Sequence, residues 1–246
     1  MHEQGVKFGI WIEPEMVNED SDLYRAHPDW AIRIQGKKPV RSRNQLLLDF
    51  SRKEVRDCVF DQICAVLDQG KIDYVKWDMN RHMSDLYSAV TAGGELPYRY
   101  MLGLYEVLER IFTPRPHILL ETCSSGGNRF DLGMLCYSPQ IWSSDDTDPI
   151  ERLSIQKGLS YFYPPCTMGA HVSQSPHQQT LRQTPLSTRF NVAAFGVLGY
   201  ELDLGELSPQ EKKQVAAQIE WYKNCVRRAE EKYGKGKSVS YTHIRA

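Results

Sequence analysis

The amino-acid sequence predicts an α/β protein whose strands belong to a (β/α)8 barrel. Short apolar or β-branched runs alternate with longer segments of helical period, and no internal repeat or low-complexity linker separates them. No Gly-x-Gly-x-x-Gly motif follows a strand, which disfavours an open dinucleotide-binding sheet. Polar residues instead end several successive strands, as a barrel active site requires. We therefore expect one catalytic barrel domain over residues 1–232.

Seven segments have the composition of strands, because they are short and rich in apolar and β-branched residues. The predicted strands cover residues 6–12, 45–50, 72–78, 117–123, 140–145, 166–172 and 198–204.

Two long segments between these strands have the apolar period of a helix that lies on a sheet. They cover residues 51–70 and 208–226, with Ser51 and Ser208 as expected N-caps and Pro209 at the first helical position of the second. The two predicted buried faces consist of Val55, Val59, Ile63 and Val66 in the first helix, and of Val215, Ile219, Tyr222 and Val226 in the second.

Charge and composition exclude several classes of partner. The chain has 30 basic and 31 acidic residues, so it offers no excess charge to a nucleic acid, and it has no basic run suited to a membrane surface. No apolar stretch approaches the roughly 20 residues of a membrane span, and the start lacks a signal-peptide pattern, which makes a cytoplasmic location the default expectation. The six cysteines include no C-x-x-C pair, so zinc and a disulfide framework are both disfavoured.

The stretch YVKWDMNRH, at residues 74–82, places charged residues inside an otherwise apolar strand. Side chains two apart share a face of a strand, so Lys76, Asp78 and Asn80 point one way and the apolar residues between them point the other. At the mouth of a barrel an ionised Asp78 needs partners, and we expect Lys76 and Arg81 to supply them.

Two further strands end in groups that suit a binding site. Trp11 and Glu13 share a face of the first strand, and a flat ring at a strand end can stack on the apolar face of a sugar. Glu121 and Cys123 share a face of the fourth predicted strand, and the glycine-rich CSSGGNRFD turn follows it. Backbone N–H groups of such a turn can approach a ligand closely.

Three aspartates follow the strand at residues 140–145. Asp148 precedes Pro149, and Glu151 lies three residues beyond it, which predicts that Asp148 is the N-cap of a helix over residues 149–158. Asp145 and Asp146 lie on opposite faces, and strand alternation alone does not say which of them faces Asp78. Two carboxylates across a cleft are the equipment of glycoside hydrolysis. Clustered acids at strand ends also bind Mg²⁺, so a metal-dependent barrel lyase or isomerase is an alternative.

At these residues the chain resembles the glycoside hydrolase family 36 α-galactosidases. The similar motifs cover roughly residues 3–223 in order: GIWIEPEMV, RNQLLLDFSRKEV, YVKWDMNR, ETCSSGGNRFD, WSSDDTDPIERL, YPPCTMGAHVS and RFNVAAFGVLGYELDL. The resemblance implies a (β/α)8 catalytic barrel with no metal or organic cofactor, and a homo-oligomeric full-length parent. It implies that Asp78 is the nucleophile and Asp145 the acid/base. The galactose-binding residues that it implies are Trp11, Arg43, Lys76, Cys123 and Gly126.

The reaction implied is hydrolysis of terminal α-galactosyl residues, from substrates of the melibiose or raffinose type, by a double displacement that retains configuration. Retention requires carboxylates roughly 5 to 5.5 Å apart. A galactosyl transferase of the raffinose-synthase type, in which a sugar hydroxyl replaces water in the second step, is an alternative.

The resemblance also has two departures. Family members carry a β-sandwich domain and the first barrel strands before the matching region, so we expect an N-terminally truncated barrel with about six of its eight strands, and an inactive fragment is a further alternative. The C-terminal residues 233–246 leave the family pattern, and we expect a disordered tail or translated adapter sequence there.

Overall fold

A computed structural model describes residues 1–233 of the chain, and this part divides into two compact units with the boundary after residue 138. The predicted tail at residues 233–246 lies outside the described residues, apart from Tyr233, the last residue of the last helix.

The first unit contains three parallel strands with helices in the connections. Strand β4 pairs with β1 on one side and with β5 on the other, both in parallel register. Two short 3-10 helices lie at His2–Gln4 and Pro28–Trp30. The other elements are β1 (Gly9–Ile12), β2 (Met16–Asn18), α1 (Asp22–Ala26), β3 (Gln45–Leu47), α2 (Lys53–Gln69), β4 (Tyr74–Asp78), α3 (Leu96–Phe112), β5 (Leu119–Cys123) and α4 (Leu132–Leu135).

Helix α2 buries a different apolar row from the one predicted. Val55, Val59 and Ile63 are buried as expected, but the row ends at Leu67 and not at Val66, which is 45% exposed. The buried residues follow a spacing of four, which keeps side chains on one face of a helix.

The predicted strand at residues 45–50 is real but does not join the parallel sheet. Its first three residues form β3, which pairs antiparallel with β2, so that Met16 faces Leu47 and Asn18 faces Gln45. Leu46, Leu47 and Leu48 are nevertheless buried, so an apolar run marked burial correctly without identifying the pairing partner.

Ser51 was predicted as the N-cap of α2, and this prediction is wrong. The helix begins at Lys53 with Arg52 in the cap position, and no side chain caps it. The Ser51 hydroxyl donates instead to Oδ1 of Asp49.

The second unit also contains three parallel strands, with β7 paired to β6 and to β8. Its core includes Val172, Leu186, Phe190 and Val215. A short 3-10 helix lies at Pro165–Thr167. The other elements are β6 (Gln140–Trp142), α5 (Pro149–Ser160), β7 (Met168–Ser173), α6 (Leu186–Ala193), β8 (Val197–Glu201) and α7 (Pro209–Tyr233).

Two predicted helix caps are confirmed in the second unit. Asp148 is the N-cap of α5, with Pro149 at the first position, and its Oδ1 accepts from the N–H of Ile150 at 2.8 Å. At the start of α7, Ser208 Oγ accepts from Glu211 N–H at 3.3 Å while the Glu211 carboxylate accepts from Ser208 N–H at 2.9 Å, which is a capping box.

The buried face predicted for α7 is confirmed where its side chains are described. Val215 and Tyr222 are buried, and Ile219 is half-buried against the core of the unit. The fourth predicted residue, Val226, has a side chain outside the described part of the chain. Within residues 1–233, no helix combines the length and the apolar character needed to cross a bilayer.

Candidate active site

The predicted nucleophile, Asp78, is the last residue of β4 and is 5% exposed. Three neutral N–H groups donate to its carboxylate. Trp11 Nε1 and Asn80 Nδ2 donate to Oδ2 at 3.0 and 2.8 Å, and the Met79 backbone donates to Oδ1 at 2.9 Å. A buried carboxylate needs hydrogen-bond donors or a charged partner, and these donors meet that need.

Trp11 reaches Asp78 because strand register puts the two side by side. Trp11 pairs with Lys76 across the β1–β4 ladder, which places its indole next to the end of β4. The ring is 54% exposed even though its N–H is bonded. An exposed aromatic face with an anchored edge is suited to stacking on a sugar.

Asn80 is held in turn by two neighbouring elements. Its Nδ2 also donates to Oε1 of Glu13, just beyond β1, and its Oδ1 accepts from the backbone N–H of Ser125 at 3.2 Å. Glu13 also accepts a long bond of 3.4 Å from Gln45 Nε2. The amide therefore fixes Asp78 relative to the ends of β1 and β5.

The structure gives the two predicted cationic partners of Asp78 other contacts. Lys76 Nζ forms an ion pair with Oε1 of the buried Glu121 at 3.2 Å, and the Tyr74 hydroxyl donates to the other oxygen of Glu121. The prediction for Arg81 is wrong, because its guanidinium donates to the Gln45 carbonyl at 3.0 Å and to the Ser84 hydroxyl. Arg81 lies three residues beyond the end of β4, so strand alternation does not govern where its side chain points.

Cys123 lies directly beside Asp78, since the two are paired in the β4–β5 register. Burial, and after it the negative charge of Asp78, raises the pKa of the Cys123 thiol to about 12. A thiol in this state is not a nucleophile at neutral pH.

The glycine-rich turn begins immediately after Cys123. Ser125 and Gly126 both have positive φ, at 46° and 83°, and the Ser124 N–H donates to the Gly126 carbonyl at 3.0 Å. A Cβ at a φ near 83° is disfavoured, which accounts for glycine at position 126.

Arg43 is exposed in a two-residue turn, where Arg43 and Asn44 have φ values of 52° and 60°. Two successive positive φ values are typical of a type I′ turn, and Gln45 and Ser42 close it with paired backbone bonds of 2.9 and 3.3 Å. The structure thus brings Trp11, Lys76, Asp78, Cys123 and the Gly126 turn together in the first unit. Arg43 is exposed in its turn, and the roles of all these residues in galactose binding and catalysis stay predictions.

A buried charge cluster beneath these residues was missed by sequence reasoning. Glu15 is fully buried and accepts from Trp77 Nε1 at 2.7 Å, from the Tyr100 hydroxyl, and from Arg129 Nη1 at 2.8 and 2.9 Å. Burial, together with the Glu15 charge, raises the pKa of Tyr100 well above its ordinary value. The only sequence signal was a second glutamate two residues after Glu13, which alternation would have placed on the same face.

The three aspartates that follow β6 have different surroundings. Asp145 is exposed, and its Oδ1 accepts from Trp142 Nε1 at 2.9 Å. Asp146 is half-buried, and its Oδ1 accepts from the Asp148 N–H at 3.0 Å and lies 4.0 Å from His177 Nε2.

Asp148 is fully buried, and all its described partners are structural. Thr180 Oγ1 and Arg182 Nη1 donate to it in addition to the first turn of α5. Burial pushes the pKa of Asp148 up, but the hydrogen bonds from Thr180, the helix N–H groups and Arg182 outweigh burial and hold that pKa below its usual value. A carboxylate held ionised in this way is a poor proton donor.

No three His, Cys, Asp or Glu side chains of residues 1–233 come together in a group that could hold a metal ion, as far as their side chains are described.

Comparison with known proteins gives strong similarities over most of the chain. A model of the Melibiase family matches residues 1–230. The bifunctional α-galactosidase/sucrose kinase AgaSK of Mediterraneibacter gnavus is 67% identical over 223 residues, which are 91% of this chain and 23% of that protein. The α-galactosidase AgaA of Geobacillus stearothermophilus is 49% identical over 230 residues, which are 92% of this chain and 32% of that protein.

Solved structures agree with the sequence comparison. The crystal structure of the family 36 α-galactosidase AgaA matches with a TM-score of 0.89 at 48% identity, over 92% of this chain and 32% of that one. Variants of AgaA have been crystallised in complex with raffinose and with stachyose. The predicted resemblance and the predicted fold class are both confirmed. The chain spans between 23% and 32% of the length of these two relatives.

Proposed function

Because the chain belongs to the Melibiase family, we propose that it is the segment of a retaining α-galactosidase that carries both catalytic carboxylates. The observation that carries this proposal is the surroundings of Asp78. It is a buried carboxylate at the C-terminal end of a parallel strand, held by three neutral N–H donors beside an exposed indole. The C-terminal ends of strands are where barrel enzymes place their catalytic groups.

We assign the nucleophile to Asp78. Its hydrogen bonds from Trp11, Met79 and Asn80 favour the ionised form without pairing it tightly to a cation. A carboxylate that is locked in a direct ion pair would be a weaker nucleophile, because the cation would have to be displaced during attack.

We assign the acid/base to Asp145, as the family resemblance implies. Of the three aspartates after β6, Asp145 alone is exposed, with a single hydrogen bond from the residues that the structure describes. Asp148 is committed to the helix cap and to Arg182, and Asp146 to the N–H of Asp148. A group that must give up and take back a proton has to be accessible to the leaving group and to water.

The proposed substrates are α-galactosides of the melibiose and raffinose type, in line with the raffinose and stachyose complexes of AgaA variants. Trp11 offers a face for stacking on galactose, and Lys76, held by Glu121, offers N–H donors to its hydroxyls. Cys123 forms a small neutral wall, and the Gly126 turn lets backbone approach the sugar. We include Arg43 among the galactose-binding residues on the strength of the resemblance alone.

The reaction proceeds in two displacements. Asp78 attacks the anomeric carbon, the glycosidic bond breaks, and Asp145 transfers its proton to the leaving oxygen. Asp145 then removes a proton from water, the water oxygen attacks the anomeric carbon, and the bond to Asp78 breaks. Two inversions release galactose with its α configuration retained.

The test is hydrolysis of p-nitrophenyl α-galactoside and raffinose by two proteins. One is the 246-residue chain itself, and the other is AgaSK with its matching segment replaced by residues 1–230 of this chain. The chimera supplies the remaining length of the relative, of which this chain covers 23%. We expect hydrolysis by the chimera, abolished by Asp78→Ala and strongly reduced by Asp145→Ala. Azide should restore in part the cleavage of p-nitrophenyl α-galactoside by Asp145→Ala, with galactosyl azide as the product, because azide needs no general base.

The control is Asp148→Asn, which changes an aspartate of the same loop and keeps its shape. It should lower stability and leave the chemistry in place. A folded chimera without activity, or one in which Asp78→Ala changes nothing, would refute the proposal. If the chimera is active and the chain is not, the chain is an inactive fragment. If galactosyl transfer exceeds galactose release when an acceptor sugar is in excess, the transferase alternative is favoured. The cytoplasmic location and the homo-oligomeric parent stay predictions.

A further inference from the structure

The second unit contains a buried arginine that the chemistry above does not use. Arg152 lies on α5 and is 2% exposed, yet among the described residues its Nε and Nη1 have no hydrogen-bond partner. Its Nη2 donates to the Gly169 carbonyl at 2.9 Å. Burial lowers the pKa of Arg152 to about 10, which still leaves the guanidinium charged at neutral pH. A buried charge with so few partners is costly, so its neighbours require an explanation.

The carboxylates of Asp146, Glu201 and Asp145 act on this charge and oppose the effect of burial on its pKa, and the guanidinium also lies over an aromatic ring. The Arg152 Cζ atom lies over the ring of Trp142, 5.1 Å from the centroid, which is within the range of a cation–π interaction. On the other side, the ring of His171 is tilted against Trp142 with a centroid distance of 4.4 Å.

The strand next to Trp142 also limits where its ring can lie. A Cβ added to Gly169 would be 2.9 Å from Trp142 Cε3, so only glycine leaves room for the ring at that position. Arg152, His171 and Gly169 thus all restrict where the indole can lie.

The edge of this fixed indole points to Asp145. Trp142 Nε1 donates to Oδ1 at 2.9 Å, and the structure records no hydrogen bond to Oδ2 from the residues it describes. With Oδ1 occupied as an acceptor, a proton on the carboxyl group is directed to Oδ2. The indole therefore selects which oxygen carries the proton.

We propose that Trp142 and Arg152 are positioning residues that orient Asp145 so that Oδ2 delivers the proton to the leaving oxygen. This inference rests on the proposed function, since it gives Asp145 the acid/base role. Both side chains are buried. Trp142 acts through its N–H, and Arg152 acts through the orientation of the Trp142 ring and through its charge near Asp145.

The dependence of kcat/KM on the leaving group distinguishes this role from a merely structural one. The sugar that leaves from raffinose must receive a proton, whereas 2,4-dinitrophenolate is a weak base and leaves without one. We expect Trp142→Phe, which keeps a ring and removes the donor, to lower kcat/KM for raffinose about tenfold or more but for 2,4-dinitrophenyl α-galactoside less than about threefold. Arg152→Met should have the same selectivity with a smaller effect, and Arg152→Lys should recover part of the loss.

The matched control is Trp221→Phe, the same substitution at a half-exposed indole of α7 that packs edge-on against Phe190. It should leave both rates unchanged. All variants are compared in the AgaSK chimera described above. If the chimera carrying the unmodified segment hydrolyses neither substrate, the proposed function itself fails. If the unmodified chimera is active and Trp142→Phe slows both substrates equally, only the positioning role is refuted.

A second measurement needs no activity. In ¹⁵N-labelled chain, the indole resonance that disappears in Trp142→Phe belongs to Trp142. We expect its chemical shift to change with pH in the unmodified chain and to lose that change in Asp145→Asn, because the carboxylate that it is bonded to no longer titrates. In folded chain, a Trp142 resonance that is unaffected by Asp145→Asn would overturn the proposal even if the chimera failed to fold.

Discussion

Replacing Glu15 with glutamine should destabilise the first unit strongly. The substitution keeps the shape of the side chain and removes its charge, which leaves the buried Arg129 cation without its partner. It also puts an amide where Trp77, Tyr100 and Arg129 all donate, so that at least one donor loses its acceptor. Removing one member of a buried ion pair costs about 3–5 kcal/mol of unfolding free energy.

Urea unfolding, followed by tryptophan fluorescence and circular dichroism, measures this loss. The control is Glu95→Gln, which breaks a 2.6 Å ion pair with Arg99 whose two side chains are 48% and 57% exposed. Exposed pairs contribute about 1 kcal/mol or less, so the control should lie close to the unmodified chain. If Glu15→Gln costs no more than Glu95→Gln, then the buried cluster does not stabilise the unit and the reasoning is wrong.

Three further predictions follow from single contacts. Because burial raises the pKa of Cys123 to about 12, iodoacetamide at pH 8 should leave Cys123 unmodified in folded protein and alkylate the exposed Cys136. Mass spectrometry of the digested chain measures both modifications. Gly103→Ala should lower the free energy of unfolding, measured by chemical denaturation, by about 1–3 kcal/mol or more, because the added Cβ would lie 2.0 Å from a backbone oxygen. The control is Gly158→Ala, whose added Cβ has nothing within 4 Å, and it should be neutral or stabilising. Asp148→Asn should lower the free energy of unfolding at neutral pH. The difference from the unmodified chain should shrink as pH falls below about 4, because a carboxylate whose folded-state pKa lies below its unfolded-state pKa loses its stabilising effect as it becomes protonated.

Local sequence rules predicted the fold where one element decides its own geometry. The caps at Asp148 and Ser208 follow from spacing within one turn, and both are confirmed. The local sequence rules failed where the geometry of an element depends on a segment far away in the chain. Leu47 was recognised as part of a buried strand, but its partner Met16 and the antiparallel direction depend on a chain segment about 30 residues away.

The same distinction holds for the candidate site. Strand alternation placed Lys76, Asp78 and Asn80 together, because a period of two is a property of the strand itself. It could not say that Asp78 would take its hydrogen bonds from Trp11 and Asn80, or that Lys76 would form an ion pair with Glu121. These contacts depend on which strands are neighbours and in what register, and a single sequence does not state either.

Alternation also left open the choice between the two adjacent aspartates at the end of β6, and hydrogen bonding supplies the missing criterion. A carboxylate that satisfies backbone donors is part of the structure, since releasing it would leave those donors unpaired. Asp148 and Asp146 both satisfy such donors, whereas Asp145 accepts, among the residues that the structure describes, only from the indole of Trp142. Asp145 can therefore take and release a proton without disturbing the backbone around it, and the indole is the one described contact that its protonation would change.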